Sequence, residues 1–178
     1  MKNILITGST GFIGRRLVNA VDGNIKILAR EKHSKFETFI CDFEKDSIPE
    51  NTLIDIDTVF HLAGFAHDMR NDEDIKDLYQ RVNVKATIDL AELAVKSGVK
   101  AFVFVSSVKA GGVSVEGKCS TEIDQLEPEG VYGKTKRESE QKLLKIGKES
   151  GMHVSIVRPS LVYGPGVKAN FQSMMKWL

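Results

Sequence analysis

The feature that most constrains the fold of this chain is a run of three evenly spaced glycines near its start. An apolar segment from Lys2 to Thr7 leads into Gly8, Gly11 and Gly14, and an apolar helical pattern follows them. Between a buried strand and a helix, Gly8 allows a tight turn and Gly14 lets the helix approach the sheet. Gly11 leaves the backbone open to a pyrophosphate, which the helix N-terminus attracts through its free N–H groups. The alternative is a plain glycine-rich turn.

Apolar patterning along the rest of the chain predicts an α/β protein. Further strands are expected at 24–29, 36–40, 58–62, 101–105 and 153–157, with helices at 72–97, at 131–150 and from 170 onward. Strands that alternate with helices favour a parallel sheet covered on both faces. The prediction is a Rossmann-type doubly wound parallel sheet with the strand order 3-2-1-4-5-6, which binds a dinucleotide at the switch point between strands 1 and 4. Residues 44–57 and 109–130 are expected to be irregular.

The end of the second strand bears on which dinucleotide would bind. An acidic residue commonly stands there and holds the ribose 2′-hydroxyl, but here the strand closes with Ala29 and Arg30. A guanidinium pairs well with a 2′-phosphate, so Arg30 favours NADP over NAD. Arg15 and Arg16 add positive charge nearby. The alternatives are that the arginines are solvated surface charges and that Glu31 holds the ribose of NAD.

Polar and small residues also follow the third and fourth strands. Asp42 is placed to accept a hydrogen bond from an adenine amino group or, alternatively, to cap the next turn, and Phe43 follows it. Ala63 and Gly64 are small enough for a cofactor to lie against their backbone. His61 is expected to be packed at the strand end rather than catalytic.

A tyrosine and a lysine stand four residues apart at the head of the predicted helix 131–150. Side chains at i and i+4 share one face of a helix, so Tyr132 and Lys136 should lie one turn apart. The pKa of a phenol is about 10, and a fixed positive charge beside it would lower that pKa. The pair is therefore a candidate acid/base, and a chance pair on a solvated face is the alternative.

Composition excludes several classes of protein. The 178 residues suffice for one domain, and the net charge of +1 without a basic, aromatic-rich cluster argues against nucleic-acid binding. No apolar run approaches the roughly 18 residues of a membrane span, and the N-terminus has no signal-peptide pattern. Cys41 and Cys119 lack metal-type spacing with the four histidines. We therefore expect free thiols, no metal, no membrane association and a cytoplasmic location.

Six segments together resemble the extended short-chain dehydrogenase/reductase family, in its NAD(P)-dependent nucleotide-sugar epimerase/dehydratase branch. They are residues 7–14, 61–64, 82–84, 104–107, 132–136 and 158–166. They follow the family's order over nearly the whole chain. Within the branch, the chain is most similar to UDP-hexose 4-epimerase-like proteins of bacterial surface-polysaccharide synthesis.

The resemblance implies a role for each matching residue. Tyr132 would be the catalytic acid/base, Lys136 would bind the nicotinamide ribose and lower the pKa of Tyr132, and Ser107 would hydrogen-bond the reacting oxygen. Asn83 matches a position that supports the site. The implied cofactor-binding residues are Gly8, Ser9, Thr10, Gly11, Phe12, Ile13, Gly14, Arg30, Asp42, Phe43, Leu62, Ala63, Gly64, Val105, Tyr132, Lys136, Pro159 and Val162. The implied substrate-binding residues are Ser107, Asn170 and Phe171.

The reaction that the resemblance implies is hydride transfer at a sugar carbon of a UDP-linked hexose, followed by reduction on the other face, as in a 4-epimerase. The first alternative is an NADPH-dependent 4-keto-sugar-nucleotide reductase, which Arg30 favours. A dehydratase ranks third because Val108 and Lys109 follow Ser107 where acidic residues are expected. From another class, a non-catalytic dinucleotide-binding module would use the same fold without turnover.

The resemblance also implies how the chain is organised. Residues 1–166 would form the NAD(P)-binding Rossmann domain, and residues 167–178 would begin a truncated substrate-binding region that is largely missing. Family members commonly dimerise through two helices, here 72–97 and 131–150, although the outer faces of both carry many charges.

Overall fold

The computed structural model describes residues 1–66, 73–112, 117–123 and 126–167, without the side chains of residues 73 and 74. Its strands are β1 (Asn3–Thr7), β2 (Asn24–Ala29), β3 (Glu37–Ile40), β4 (Thr58–His61), β5 (Ala101–Val105) and β6 (His153–Val157). Its helices are α1 (Gly14–Ala20), α2 (Glu73–Tyr79), α3 (Ala86–Lys96), α4 (Val108–Gly111) and α5 (Gly130–Ser150). A 3₁₀ turn at Glu50–Leu53 and a π-helical segment at Gln80–Lys85 complete the described elements.

The six strands form one sheet in the order β3-β2-β1-β4-β5-β6, and every neighbouring pair is parallel. This confirms the predicted doubly wound α/β fold and its strand order. Thr7 at the end of β1 pairs with His61 at the end of β4. The chain leaves β1 toward one side of the sheet and reaches β4 on the other, so a crevice opens between these two strand ends.

Alternation along β1 divides the core between the two faces of the sheet. Leu5 packs in a cluster with Leu90 of α3 and Leu143 of α5, whereas its neighbour Ile6 packs with Val18 of α1. Successive side chains of a strand point to opposite faces, so the apolar centre of β1 packs against both layers. The carboxyl ends of the strands thus lie between two covering layers and are held rigidly.

The predicted helix 72–97 is not one continuous α-helix, because a π-helical segment at Gln80–Lys85 separates α2 from α3. The carbonyl of Asn83, within this segment, accepts hydrogen bonds from the hydroxyls of Thr87 and Ser139. Ser139 belongs to α5, so a tertiary contact stabilises the local departure from α-helical geometry. Helical periodicity alone does not distinguish such a segment from an ordinary turn.

Two stretches predicted to be irregular contain short helices. The stretch 44–57 includes the 3₁₀ turn Glu50–Leu53, and the stretch 109–130 begins with α4. Ser107 caps α4, since its side chain accepts from the N–H of Lys109 at 3.3 Å. The helix predicted from residue 170 onward lies outside the described residues. Among the described helices, none is both long enough and apolar enough to span a membrane.

Candidate active site

The glycine turn packs directly against the segment that follows β4. Gly8 adopts φ +70°, and a Cβ at this position would lie 2.6 Å from the backbone nitrogen of Ala63. A Cβ on Gly14 would lie 2.1 Å from the carbonyl oxygen of Gly8. Gly11 is exposed, and only the carbonyl oxygen of Gly8, at 3.1 Å, lies near the place of its missing Cβ. Gly8 and Gly14 therefore close the turn, while Gly11 leaves its outer surface open.

Two observations indicate that a dinucleotide would fit against this turn. The hydroxyl of Ser9 is buried and finds no hydrogen-bond partner in the described part of the chain. A buried hydroxyl without a partner is uncommon, and a pyrophosphate oxygen would satisfy it. The open backbone at Gly11, next to the first turn of α1, adds N–H groups suited to an anion.

A chain of buried hydrogen bonds joins the ends of β1 and β4 to the π-helical segment. The N–H of Ala63 donates to Thr7 Oγ1 at 3.1 Å, and Thr7 Oγ1 lies 2.7 Å from His61 Nδ1. His61 Nε2 lies 2.9 Å from Thr87 Oγ1, which donates to the carbonyl of Asn83. One assignment satisfies every group: Thr7 donates to a neutral His61, which donates from Nε2 to Thr87.

His61 is packed at the strand end, as predicted, but its hydrogen-bonding role was not anticipated. Burial lowers the pKa of His61 to about 3, and the nearby Lys136 contributes to the shift. The imidazole is thus neutral at physiological pH, which agrees with the direction of its hydrogen bonds. The pattern of a histidine after an apolar strand indicates burial but not its partners, which come from distant parts of the chain.

The three arginines considered for a 2′-phosphate differ in their surroundings. Arg30 is exposed at the end of β2. Arg16 donates to the carbonyls of Phe12 and Pro165, and its guanidinium lies 4.0 Å above the Phe12 ring. Arg16 therefore fastens the segment around Pro165 to α1 and is not free for a phosphate. Arg15 lines a cavity of about 250 Å³ together with Val18, Asn19, His33, Ser34 and Lys35.

Asp42 and Phe43 follow β3 as expected, and the structure shows what each contacts. Asp42 Oδ1 accepts from the N–H of Glu44 at 3.1 Å, which is the capping alternative left open by the sequence. Its backbone N–H donates to Asp46 Oδ2. The ring of Phe43 packs edge-on against His61, with 5.8 Å between the ring centroids. Both residues thus stabilise the turn after β3 beside the crevice.

Ser107, Tyr132 and Lys136 come together where β5 meets the first turns of α5. The side chains of Ser107 and Tyr132 share a hydrogen bond. Lys136 is only 3% exposed, and its Nζ donates to the carbonyl of Val105 at 3.1 Å. The ammonium also lies 4.5 Å from the centroid of the Phe104 ring and 5.9 Å from that of Tyr132. These three residues form a compact polar cluster at the carboxyl end of β5.

The pKa of Tyr132 differs from the expectation. Burial and the neighbouring Tyr79 raise the pKa of the Tyr132 phenol, and only the hydrogen bond with Ser107 acts in the opposite direction. Lys136 was expected to lower this pKa, but its ammonium is directed at the Val105 carbonyl and the Phe104 ring. Burial lowers the pKa of Lys136 to about 8, against an opposing contribution from Glu140.

Asn83 connects the π-helical segment to this cluster. Its side-chain amide accepts from the N–H of Phe65 at 2.7 Å and donates to the carbonyl of the same residue at 3.0 Å. It also approaches Thr135 Oγ1 of α5 at 3.3 Å. A Cβ on Gly64 would lie 3.1 Å from Lys136 Nζ and 3.2 Å from Asn83 Oδ1. Asn83 thus fixes the backbone after β4 against Lys136, and only a glycine fits comfortably at position 64.

Some of the remaining predicted site residues border the same crevice, and others lie outside the residues that the structure describes. Leu62 is partly buried in the core on the α1 side, and the Pro159 carbonyl accepts from the N–H of Val108. Val162 is half-buried. Asn170 and Phe171 lie outside the described residues. Cys41 is buried and Cys119 exposed, both as free thiols, and no metal-type cluster of His, Cys, Asp and Glu occurs in the described ranges.

The sequence of this chain matches a known protein family and several of its characterised members. A family model described as "NAD dependent epimerase/dehydratase family" matches residues 4–177. The chain is 41% identical over 186 residues to the UDP-glucose 4-epimerase of Vibrio cholerae, covering 98% of this chain and 56% of that protein. It is 29% identical over 180 residues to the N-acetyl-alpha-D-glucosaminyl-diphospho-ditrans,octacis-undecaprenol 4-epimerase of Escherichia coli O157:H7, covering 98% and 53%.

A solved structure, MoeE5 in complex with UDP-glucose and NAD, is similar throughout the described fold. It superposes with a TM-score of 0.80 at 30% identity, covering 93% of this chain and 56% of that one. The chain therefore spans little more than half the length of these three relatives.

Proposed function

Because the chain belongs to the NAD dependent epimerase/dehydratase family, we propose that it supplies the dinucleotide-binding and acid/base parts of a UDP-hexose 4-epimerase-like enzyme. The proposal depends chiefly on the cluster in which Tyr132 hydrogen-bonds Ser107 while Lys136 is buried one helical turn away. The 41% identity to the epimerase of V. cholerae supports it. Residues 1–166 would be the dinucleotide-binding domain, and residues 167–178 would begin the sugar-binding region.

The residues that would hold the cofactor line the crevice between β1 and β4. Gly11 and Ser9 would bind the pyrophosphate, and Ala63 and Gly64 would border the nucleotide. Arg30 has the charge and position at the end of β2 to contact a 2′-phosphate, so we favour NADP over NAD. The NAD bound in the MoeE5 structure makes NAD the alternative.

Within this proposal the chain's own residues move a proton at one oxygen. The phenol oxygen of Tyr132 would take the proton from a sugar hydroxyl and return it, while Ser107 would orient that hydroxyl. Because burial raises the pKa of Tyr132, the phenolate would need a positive charge nearby. The Lys136 ammonium, 5.9 Å from the centroid of the Tyr132 ring, would supply that charge. A bound nicotinamide supplies the redox chemistry, since it can accept and return a hydride.

Two other functions are compatible with the same residues. An NADPH-dependent reductase of 4-keto-sugar nucleotides would use Ser107, Tyr132 and Lys136 in one direction only, and Arg30 at the end of β2 favours it. A dinucleotide-binding module without turnover would need no buried acid/base cluster, so the burial of Lys136 favours an enzyme.

The decisive experiment uses the full-length protein with UDP-glucose or UDP-galactose and with each dinucleotide. An epimerase interconverts the two sugars without net cofactor oxidation, whereas a reductase oxidises NADPH in proportion to a keto-sugar substrate. We expect Tyr132→Phe to lower kcat by at least about 10³-fold, since it removes the acid/base group, and to leave dinucleotide affinity nearly unchanged. Unchanged turnover in Tyr132→Phe would contradict the mechanism. Binding without turnover in the wild type would favour the module.

The proposed enzyme would be a homodimer through the helical layer of α2, α3 and α5. The outer surface of α5 carries the ion pairs Lys142–Glu138 and Lys145–Glu149, and Leu144 is 52% exposed among them. Leu144→Glu places a charge on the apolar spot of this surface, so we expect a larger monomer fraction in light scattering. A wild-type monomer at micromolar concentration would contradict the dimer.

A further inference from the structure

Three polar side chains follow one another at one-turn intervals along α5, and the function proposed above uses only the first two. They are Tyr132, Lys136 and Glu140, and at i, i+4 and i+8 they share one face of the helix. Lys136 is 3% exposed and Glu140 is 2% exposed. A carboxylate is almost never so deeply buried unless it is paired. The buried Glu140 therefore calls for a structural or functional explanation.

Glu140 is held by a two-pronged contact with Arg158. Arg158 Nε donates to Glu140 Oε1 at 2.9 Å, and Arg158 Nη2 donates to Glu140 Oε2 at 2.6 Å. Such parallel hydrogen bonds fix the plane of the carboxylate as well as its position. Glu140 is one of the causes that raise the pKa of Arg158. The pair therefore holds the carboxylate at a defined place, one helical turn beyond Lys136 on α5.

The strands that anchor Lys136 and Glu140 are neighbours. Val105 and Val157 are paired at the ends of β5 and β6, and Arg158 directly follows Val157. Lys136 donates to the carbonyl of Val105, so two successive turns of α5 are fastened to two adjacent strand ends. The next turn toward the helix N-terminus presents Tyr132 to Ser107. The Glu140–Arg158 contact thus helps to determine where Tyr132 lies.

The charge of Glu140 acts on Lys136 in a setting with few other charges. Within the part of the chain that the structure describes, the titratable groups facing Lys136 are Tyr132 on its own helix, the neutral His61 from β4, and Glu140. Burial disfavours the ammonium form of Lys136, and Glu140 is the group that opposes this effect. The positive charge of Arg158 partly offsets the negative charge of Glu140, and the two hydrogen bonds hold the Glu140 carboxylate in place.

We propose that Glu140, held by Arg158, is a positioning residue that keeps Lys136 charged and correctly placed beside Tyr132. The proposal rests on the role of Lys136 in the function proposed above. The competing explanation is that the ion pair only fastens α5 to β6 and has no influence on the ammonium. A purely structural role would change stability but not the titration of Lys136.

The test is a direct titration of Lys136 in the full-length protein with ¹³Cε-labelled lysine, its NMR signal assigned by its loss in Lys136→Arg. The wild-type midpoint is expected near pH 8. In Glu140→Gln the midpoint should fall by about one pH unit, because the opposing carboxylate charge is gone. The matched control is Glu138→Gln on the same helix, which removes a carboxylate bound to Lys142 and Gln80 and should leave the midpoint unchanged.

A second readout follows dinucleotide affinity against pH by fluorescence titration with NADH and NADPH. We expect dinucleotide affinity to fall at high pH as Lys136 loses its proton. The pH at which the affinity falls should be lower in Glu140→Gln than in the wild type, and unchanged in Glu138→Gln. Should Glu140→Gln fail to fold, the double variant Glu140→Gln with Arg158→Gln removes both charges of the pair and should show the same lowered midpoint.

A Lys136 midpoint that equals the wild-type value in Glu140→Gln, or in the double variant, would overturn the proposal and leave the Glu140–Arg158 pair a structural link. The NMR titration does not require turnover. A lowered midpoint therefore stands even if Tyr132→Phe shows that the proposed catalytic function is wrong.

Discussion

At the residue scale, Gly11 and Gly14 of the turn after β1 have separable roles, and substitution distinguishes them. A Cβ at Gly14 would lie 2.1 Å from the Gly8 carbonyl oxygen, far inside van der Waals contact. Gly14→Ala should therefore destabilise the fold by about 3 kcal/mol, with a drop in Tm on the order of 10 °C. Thermal denaturation of the nucleotide-free protein measures this.

Gly11→Ala should behave in the opposite way. Its Cβ meets only the Gly8 carbonyl oxygen, at 3.1 Å, so we expect less than about 1 kcal/mol of destabilisation. The added methyl group would occupy the surface proposed for the pyrophosphate, and dinucleotide affinity should fall at least about tenfold. Wild-type affinity in Gly11→Ala would show that the turn does not bind the pyrophosphate.

His61 gives the fold a specific dependence on pH. Its pKa is near 3 when folded and about 6.5 when unfolded, so the unfolded state binds the proton first. Stability contributed by the neutral imidazole is present above pH 6.5 and is lost as the pH falls toward 3, by up to about 1.4 kcal/mol per pH unit. We expect His61→Gln to flatten the slope of the unfolding free energy between pH 6.5 and 4.5.

Urea denaturation at several pH values measures the slope, and the exposed His153 supplies the control. His153→Gln removes an exposed imidazole at the start of β6 and should leave the wild-type slope unchanged. Equal slopes in His61→Gln and the wild type would contradict the neutral, buried assignment.

At the scale of elements, the π-helical segment depends on hydrogen bonds that reach beyond its own helix. Asn83 binds both backbone groups of Phe65, and its own carbonyl accepts from Ser139 of α5. Asn83→Ala leaves the Phe65 N–H and C=O without these partners, so we expect a loss of about 3 kcal/mol in the free energy of unfolding. The exposed Gln80 in the same segment is the matched control.

Gln80→Ala should cost less than about 1 kcal/mol, because the hydrogen bond that it loses to Glu138 is exposed. Chemical denaturation of both variants tests the difference. Equal stability of the two variants would mean that the Asn83 contacts with Phe65 contribute little.

At the scale of the whole molecule, the strand order determines where a dinucleotide would bind. It also determines which end of the dinucleotide would lie near Arg30. The crevice lies between β1 and β4, with β2 and Arg30 on one side and the Tyr132 cluster on the other. Binding to the folded state raises Tm, so NADP should stabilise the protein more than NAD does at equal concentration. Arg30→Ala should remove the advantage of NADP.

The exposed Arg81 of the π-helical segment offers a matched control for the loss of one arginine. Arg81→Ala should keep the preference for NADP, because it lies away from the end of β2. A larger shift with NAD in the wild type would contradict the NADP proposal, and no shift with either nucleotide would contradict dinucleotide binding.

Local patterns in the sequence were sufficient for the architecture and for several of the residues that the structure brings together at the candidate site. The alternation of apolar strands and helices predicted all six strands and their order, because short buried segments have a composition that polar loops lack. The glycine spacing located the turn after β1. The pairing of Tyr132 with Lys136 followed from helical periodicity, since residues four apart necessarily share a face.

Only the tertiary structure decided how those residues are connected and charged. Apart from Thr87, which lies four residues after Asn83, the hydrogen-bond partners of His61 and Asn83 lie 18 to 56 residues away in sequence, and no local pattern encodes such contacts. Arg16 is bound to Pro165, 149 residues away, instead of standing free for a phosphate. Lys136 is directed at Val105, so burial rather than a neighbouring charge dominates the pKa of Tyr132. Sequence periodicity determines which face of an element is buried, whereas the packing of distant elements determines what each buried polar group meets there.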